Sequence, residues 1–423
     1  MRTNRRGFLA TGVALGLVGC ASGQRLPSRT QVLVVGGGFG GATAARYLRI
    51  LSDHAIDVTL VEPDAAFVSC PLSNLVLGGS RSLADLTSPY DAPSRAHGIR
   101  IVRDSVARID AGARVVTLAS GSTLAYDRLV LSPGVELLVD RVEGLAAAHA
   151  SGRVLQAWRA GPETTALRAQ LEAMPDGGTF AITIPEAPYR CPPGPYERAC
   201  QVASYFKRAK PRSKVLILDE NPDVVSKAAL FRKVWADSYP GMVEYRPRHR
   251  TVSVDARGGL VRFEIQEDVR ADVLNVLPPM RAASIAVDTG LANSNGRWCN
   301  VDYRTFESTA AKHIHVIGDA VQGAPQMPKS GHMANAQGKV VAAAIVADLH
   351  GWEIDPAPML SNVCYSFVDA TRAIHVASVH AYDAGEKTYL PVKGSGGVST
   401  TPNELEGRYA WNWARTIWAD SVG

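Results

Sequence analysis

Cys191 lies in a loop whose composition suits thiol chemistry. The loop, residues 185–195, follows an apolar strand-like run at 179–184, is rich in proline and places Arg190 beside the cysteine. A helix is predicted to begin at Pro195. The positive end of a helix, like a neighbouring arginine, favours the thiolate over the thiol. We therefore interpret Cys191 as a reactive sulfur of low pKa and not as a structural cysteine.

Three glycines near the N-terminus have the spacing of a dinucleotide site. Gly36, Gly38 and Gly41 follow a predicted strand at 31–35 and open a predicted helix. This spacing lets backbone N–H groups approach a pyrophosphate at the N-terminus of the helix. Glu62 ends the next predicted strand, about 20 residues further on, where an acid binds the ribose hydroxyls of adenosine. The strand, glycines, helix, strand and acid together predict an FAD-binding domain.

The Cys191 loop stands where a second nucleotide-binding unit would carry its own glycines. The apolar runs at 179–184 and 214–219 flank a predicted helix, which makes a second βαβ unit. A loop fixed by proline cannot bring successive N–H groups up to a pyrophosphate. The sequence therefore predicts a Rossmann-like domain that has lost its NAD fingerprint.

The dinucleotide pattern returns late in the chain at Gly318 and Asp319, which end another predicted strand. In flavoproteins with two dinucleotide-binding domains, such an aspartate binds the ribityl chain of the flavin. We predict an α/β fold of the glutathione-reductase type, with two Rossmann-like domains and a C-terminal interface domain. The predicted divisions are an FAD-binding domain at 28–145 and 288–350, an inserted domain at 146–287 and a C-terminal domain at 351–423.

The composition indicates an ordinary globular protein. The chain has 423 residues, of which 46% are hydrophobic and 20% charged, enough for two or three domains. The net charge falls from +5 to +2 when the three arginines of residues 1–23 are left out, so it does not indicate nucleic-acid binding. We find no metal-binding spacing, and no segment after residue 23 is apolar enough to predict a transmembrane helix.

Residues 1–23 are predicted to be a twin-arginine export signal. Arg5 and Arg6 precede a short apolar stretch at 8–18, which is too short to span a bilayer. The signal predicts a periplasmic protein. Cys20 also fits a lipobox and would then carry a lipid anchor, and the alternative is ordinary cleavage among residues 21–23.

Five cysteines remain after the predicted signal, so at least one is unpaired. In an oxidising compartment a disulfide is expected. Two partners for Cys191 stay open on the sequence: Cys364, and Cys200, which lies nine residues further on.

From about residue 31 to its end, the chain resembles the flavoprotein subunit of flavocytochrome c sulfide dehydrogenase. The most specific motif is Arg-Cys-Pro-Pro-Gly-Pro-Tyr-Glu-Arg at 190–198. Further matching segments are residues 34–45, 70–74, 304–308, 315–319, 327–331 and 364–366.

This resemblance implies roles that the residues alone do not. It implies a redox disulfide between Cys191 and Cys364, covalent attachment of FAD through Cys70, and Glu197 as a proton acceptor near the disulfide. Lys329 and Ser330 would open a helix directed at the flavin, although Lys329 could equally be a solvated surface charge. Cys200 departs from the small residue that the family leads us to expect, so a bridge between Cys191 and Cys200 stays an alternative.

The activity implied by the resemblance is oxidation of hydrogen sulfide through the disulfide and FAD, with electrons passed to a c-type cytochrome. The chain has no Cys-x-x-Cys-His motif, so the haem would belong to a partner subunit. The alternatives are a sulfide:quinone oxidoreductase and a non-catalytic flavin-binding redox partner.

Overall fold

The computed structural model describes residues 30–423. The predicted export signal and Cys20 lie outside these residues. The first part of the chain forms β1 (Gln31–Val35), α1 (Phe39–Leu51), β2 (Asp57–Val61), β3 (Ala66–Val68), α2 (Asn74–Gly78), β4 (Thr87–Pro89), α3 (Asp91–His97), β5 (Arg100–Val102), β6 (Val106–Asp110), β7 (Val115–Leu118), β8 (Thr123–Ala125), β9 (Arg128–Leu131), β10 (Val135–Leu137) and α4 (Leu145–Ala150).

The middle part contains α5 (Pro162–Ala173), β11 (Thr179–Ile184), α6 (Gly194–Ala209), β12 (Lys214–Asp219), α7 (Ala228–Ser238), β13 (Val243–Arg246), β14 (Thr251–Asp255), β15 (Leu260–Phe263), β16 (Val269–Arg270), β17 (Val273–Val276) and β18 (Met280–Ala282). The remainder forms α8 (Ser284–Asp288), β19 (Ile314–Val316), α9 (Gly331–His350), β20 (Met359–Phe367), β21 (Ala373–Asp383), β22 (Thr388–Pro391), β23 (Gly397–Val398) and α10 (Glu404–Ser421).

The first large sheet joins distant parts of the chain. Its strand order is β19-β9-β1-β2-β5, and every pairing is parallel. Strand β1 is a continuous apolar run in which Val32 and Val34 are buried, as expected of a parallel strand covered on both faces. Helices α1 and α9 pack against each other beside this sheet. The segment after residue 288 thus completes the sheet that the N-terminal segment begins.

A second parallel sheet, of order β13-β12-β11-β17, forms the inserted Rossmann-like unit. Asp219 ends β12, the position at which a nucleotide-binding unit keeps its ribose-binding acid. Here the carboxylate is fully buried and accepts hydrogen bonds from the hydroxyls of Tyr196 (2.7 Å) and Tyr245 (3.1 Å). The two tyrosine hydroxyls therefore bind the carboxylate that would otherwise bind the ribose of a nucleotide.

The C-terminal segment is more regular than its sequence suggests. Strands β20 and β21 form a long antiparallel hairpin, and α10 follows. The side chain of Asn403 caps α10 by accepting a hydrogen bond from the Glu406 N–H (2.8 Å). Strand β20 alternates only partly between buried and exposed positions, so its sequence pattern is weak.

Among residues 30–423, no helix has the length and apolar character needed to cross a membrane.

The second sheet generates the first prediction. NADH and NADPH should not reduce the flavin at a useful rate. Asp219 already accepts hydrogen bonds from two tyrosine hydroxyls, and the loop before α6 lacks the glycines that would bind a pyrophosphate. The measurement is the flavin absorbance under anaerobic conditions after NADH is added, with dithionite as the control that the flavin can be reduced. Rapid bleaching by NADH would contradict the prediction.

Candidate functional site

A cavity of about 440 Å³ lies between the two Rossmann-like units and the β20–β21 hairpin. Most of the residues predicted from the sequence line it, and the two that do not, Gly41 and Lys329, lie behind its wall. The predicted residues that line it are Gly36, Gly38, Glu62, Cys70, Cys191, Glu197, Gly318, Asp319, Ser330 and Cys364.

The glycine loop forms one end of the cavity. Gly36 has φ +95°, and a Cβ atom there would stand 2.3 Å from the Ser132 carbonyl oxygen, so only glycine fits. A Cβ atom on Gly41 would stand 1.9 Å from the Gly36 carbonyl oxygen, which explains how α1 lies against the loop. Gly38 faces open space. The loop therefore packs closely against the protein backbone at Gly36 and Gly41 and leaves open space at Gly38, where a diphosphate would lie.

Two carboxylates lie along the cavity from this loop. Glu62 Oε2 accepts a hydrogen bond from the Gly37 N–H (2.6 Å), which places the acid beside the loop. Asp319 lies further along, where the N-terminus of α9 opens at Gly331. Burial raises the pKa of the Asp319 carboxyl, and the charges of Arg190 and Lys329 oppose that rise. The open loop, the acid at the end of β2, Asp319 and a positive helix end together fit a bound FAD.

Lys329 is not the solvated surface charge that its sequence also allowed. Its side chain is buried, and its ammonium donates hydrogen bonds to the carbonyl oxygens of Asp319 (2.9 Å) and Val321 (2.6 Å). It lies 3.7 Å from the ring centroid of Trp298. Burial lowers the pKa of Lys329 to about 8. The residue therefore fixes the backbone of Asp319 from behind the cavity.

Ser330 connects the start of α9 to the C-terminal hairpin. Its hydroxyl accepts a hydrogen bond from the Met333 N–H (3.0 Å) and caps the helix. The same hydroxyl donates to Asn362 Oδ1 (2.6 Å), two residues before Cys364. The helix end and the strand that carries Cys364 are thus held in one position.

Cys70 lies just after β3 and is half-buried. The residue lines the cavity, and its sulfur accepts a hydrogen bond from the Ala160 N–H (3.4 Å). Cys70 therefore borders the space in which the FAD features converge.

Cys191 adopts a backbone conformation that is uncommon for a residue with a side chain, with φ +58°. Its N–H donates a hydrogen bond to the Lys329 carbonyl oxygen (2.8 Å). Its own carbonyl oxygen accepts from the Gly194 N–H (2.9 Å) as α6 begins. The first of these hydrogen bonds joins the proline-rich loop to Lys329, the residue before Ser330, which caps α9.

Cys191 and Cys364 line the same cavity as two unbonded thiols, so the structure contains no disulfide between them. The expectation of a low pKa for Cys191 is wrong for this dithiol form. Burial raises the pKa of the Cys191 thiol, and negative charge on Cys364 and Glu197 raises it further, whereas Arg190 opposes the rise. Burial also raises the pKa of Cys364. The effect of desolvation on the pKa of Cys191 is therefore larger than the opposite effect of its position before α6.

Cys200 lies in the middle of α6 and is completely buried in the apolar core. It does not line the cavity. This position favours Cys364 over Cys200 as the partner of Cys191.

Glu197, on α6, links α2 to strand β20 of the C-terminal hairpin. Its carboxylate accepts hydrogen bonds from the Phe367 N–H (2.8 Å) and from the Asn74 side-chain amide (3.1 Å). Burial raises the pKa of the Glu197 carboxyl. A carboxyl group with a raised pKa, placed in the thiol cavity, suits exchange of a proton.

Arg198 is almost completely buried beside Glu197. Its guanidinium donates hydrogen bonds to Asn74 Oδ1 (3.0 Å) and Asn275 Oδ1 (2.8 Å) and to the carbonyl oxygens of Gln156 (2.8 Å) and Ala157 (2.7 Å). Burial lowers the pKa of Arg198 to about 10. Asn74 therefore bridges Glu197 and Arg198.

The sequence missed three contributors to this site. Asn74 stood inside a matching motif but carried no role. His332 Nδ1 accepts hydrogen bonds from the Val363 N–H (2.9 Å) and from Trp413 Nε1 (3.4 Å), which places α10 against the cavity. Lys227 hydrogen-bonds to the backbone of Cys364 at 3.0 Å. No spacing or motif in the sequence announces His332 or Lys227.

Three family models match the chain in succession. Residues 30–163 match the pyridine nucleotide-disulphide oxidoreductase family. Residues 164–278 match the central domain of the sulfide dehydrogenase (flavocytochrome c) flavoprotein chain, and residues 356–422 match the flavin-binding domain of flavocytochrome c sulphide dehydrogenase.

Individual relatives belong to two related groups. The flavoprotein chain of sulfide dehydrogenase (flavocytochrome c) from Chlorobaculum thiosulfatiphilum is 67% identical over 46 residues, which is 11% of this chain and 94% of that sequence. The mitochondrial sulfide:quinone oxidoreductase of Mus musculus is 24% identical over 68% of this chain, and the match spans only 65% of that protein's length.

Among solved structures, the sulfide:quinone oxidoreductase of Aquifex aeolicus superimposes with a TM-score of 0.74 at 20% identity, covering 93% of this chain and 92% of the other. This likeness, with the oxidoreductase domain at 30–163, confirms the predicted fold class. The short, highly identical relative and the two family-specific domains confirm the predicted resemblance. The chain belongs to the family of the flavocytochrome c sulfide dehydrogenase flavoprotein chain.

Proposed function

We propose that this protein is an FAD enzyme that oxidises hydrogen sulfide at Cys191 and Cys364. The observation that carries the proposal is the meeting of both thiols and the Glu197 carboxyl in the cavity that has the features of a flavin site. The flavoprotein family to which the chain belongs, and relatives named for sulfide oxidation, support the same substrate.

FAD would be held by the glycine loop, Glu62, Asp319 and the positive end of α9, and the flavin-binding family match supports this cofactor. When bound, FAD accepts two electrons and can release them one at a time. We further propose that Cys70 holds FAD covalently, since this cysteine lines the same cavity.

The thiol step begins from a disulfide between Cys191 and Cys364. Hydrosulfide attacks one sulfur, a new S–S bond forms to the incoming sulfur, and the original S–S bond breaks. One cysteine becomes a persulfide, and the other leaves with the bonding electron pair as a thiolate. The sulfide sulfur is oxidised by two electrons and the disulfide is reduced. Glu197 would exchange the proton, and the positive charges of Arg190 and Lys227 favour the thiolate.

For the electron acceptor we propose a c-type cytochrome on a separate subunit. The family name supports this acceptor. A quinone is the second candidate, because the matched relatives from mouse and Aquifex are sulfide:quinone oxidoreductases. Purified protein should be given sulfide with either oxidised cytochrome c or a soluble quinone analogue. Faster reduction of the cytochrome supports the first acceptor, faster reduction of the quinone the second, and reduction of neither would contradict sulfide oxidation.

We also propose that the protein is periplasmic. The basis is the twin-arginine pair Arg5-Arg6 and the apolar stretch after it. The double variant Arg5→Lys, Arg6→Lys should accumulate in the cytoplasm, as measured by cell fractionation. An unchanged periplasmic fraction would contradict export by this route.

Covalent attachment through Cys70 has a direct test. The yellow colour of the wild-type protein should remain with the polypeptide after acid precipitation, because a thioether survives unfolding. Flavin should be extractable from Cys70→Ala, whereas Cys299→Ala, which changes a buried cysteine outside the cavity, should retain it. Extractable flavin in the wild type would contradict the attachment.

The two cavity thiols are expected to act as a pair. Cys191→Ser and Cys364→Ser should each lose sulfide-dependent turnover by several orders of magnitude, on the order of 10²- to 10⁴-fold, since each removes the disulfide that sulfide attacks. Cys200→Ser should stay close to wild type because Cys200 is in the core. Steady-state turnover and non-reducing peptide mapping provide the measurement. Full activity of Cys364→Ser, or a crosslink between Cys191 and Cys200, would show that the pairing is wrong.

A further inference from the structure

Lys227 is a buried cation beside the thiol pair. It precedes α7 at φ +55° and is 8% exposed. Its ammonium donates hydrogen bonds to the Cys364 carbonyl oxygen (3.0 Å) and to the Ser366 hydroxyl (2.8 Å). A residue of the inserted unit thus reaches across to the strand that carries one of the two thiols.

The partners of Lys227 are unusual for a buried charge. Both hydrogen-bond acceptors are neutral, and among residues 30–423 no carboxylate lies within salt-bridge distance of its ammonium. The aromatic ring of Phe231 contributes at 5.8 Å. A buried cation is costly unless an anion offsets it. The buried charge of Lys227 therefore has no anion as a direct hydrogen-bond partner among residues 30–423.

The ionisable groups around Lys227 come from four different elements of the fold. Negative charge on Cys364 of β20 raises the pKa of Lys227 most, followed by charge on Glu197 of α6, on Cys191 of the 185–195 loop and on Glu406 of α10. Burial lowers the pKa of Lys227 to about 8, and these anions oppose the decrease. In turn, Lys227 opposes the rise that burial causes in the pKa of Cys364.

We propose that Lys227 is a positioning residue of the sulfide site, which holds the backbone of Cys364 and stabilises negative charge on the Cys364 sulfur once the disulfide has opened. This inference rests on the proposed function, because the disulfide opens when hydrosulfide adds to it and one sulfur is released as an anion. Lys227 is then the fixed countercharge for the reduced form of the pair. Because Lys227 bonds to the backbone of Cys364 and its charge acts more on Cys364 than on Cys191, we expect Cys364 to be the more acidic of the two thiols.

The test measures thiol acidity and needs no turnover. Reduced holoprotein is alkylated with iodoacetamide over a range of pH, and the modified Cys191 and Cys364 peptides are quantified by mass spectrometry. In the wild type, Cys364 should titrate at a lower pH than Cys191. Lys227→Gln keeps a hydrogen-bond donor and removes the charge, so alkylation of Cys364 near neutral pH should slow about tenfold, the equivalent of one pKa unit.

Two variants separate charge from packing. Lys227→Arg keeps the charge and should stay within about twofold of wild type. Lys210→Gln changes another buried lysine, one that binds the backbone carbonyl oxygens of Glu172 and Met174 away from the cavity, and should leave Cys364 unchanged. An unchanged Cys364 pKa in Lys227→Gln, an Arg variant that behaves like Gln, or an equal shift in Lys210→Gln would overturn the proposal.

The remaining outcomes are also decisive. If Lys227→Gln does not fold, as judged by its far-UV circular dichroism, the wild-type comparison decides alone, and a Cys191 thiol as acidic as Cys364 would overturn the proposal. Sulfide turnover is measured on the same wild-type preparation. Absence of turnover there would contradict the proposed function, whereas the alkylation profiles still report on Lys227.

Discussion

The site depends on charged side chains that are buried where three parts of the chain meet. Arg198 is almost without solvent, and its guanidinium has to find acceptors within the protein. It finds them on α2, on β17 and on the segment before α5, while Glu197 next to it binds Asn74 and the backbone of β20. Removing one of these acceptors would leave a buried donor unsatisfied, which commonly costs about 1–3 kcal/mol. Because these two residues follow Cys191 by a few positions, the same bonds fix the cysteine loop against the cavity.

The inserted unit keeps the shape of a nucleotide-binding domain while its ligand-facing residues have changed. Asp219 still ends β12, but the hydroxyls of Tyr196 and Tyr245 occupy it. The loop before α6 carries a cysteine in a left-handed conformation instead of glycines. The start of a helix that would bind a pyrophosphate in such a unit therefore presents Cys191 to the cavity. Lys227, just before α7, hydrogen-bonds to the backbone carbonyl oxygen of Cys364, the other cavity cysteine. The unit has thus lost the residues for one ligand and contributes one of the two cavity thiols that we propose act as a redox pair.

Local patterns in the sequence predicted the FAD end of the site, and long-range contacts produced the rest. Gly36, Glu62 and Asp319 could be predicted because glycine spacing and strand ends determine them within a short stretch of chain. The role of Lys227 could not be predicted, since it depends on a hydrogen bond to a residue 137 positions away. The low pKa expected for Cys191 was wrong because the argument from the helix start took no account of burial, which only the folded chain reveals. The regular C-terminal hairpin was missed because β20 is unevenly buried.

We propose that sulfide adds to a disulfide between Cys191 and Cys364 in the cavity that would hold the flavin. The most direct test is a single anaerobic turnover of oxidised holoprotein with one equivalent of isotopically labelled sulfide, followed by rapid alkylation and mass spectrometry of the cysteine peptides. The account predicts one labelled sulfur on Cys191 or Cys364, the other of the two alkylated, and Cys200 and Cys299 without label. Loss of the oxidised flavin spectrum with no labelled sulfur on either cavity cysteine would contradict it.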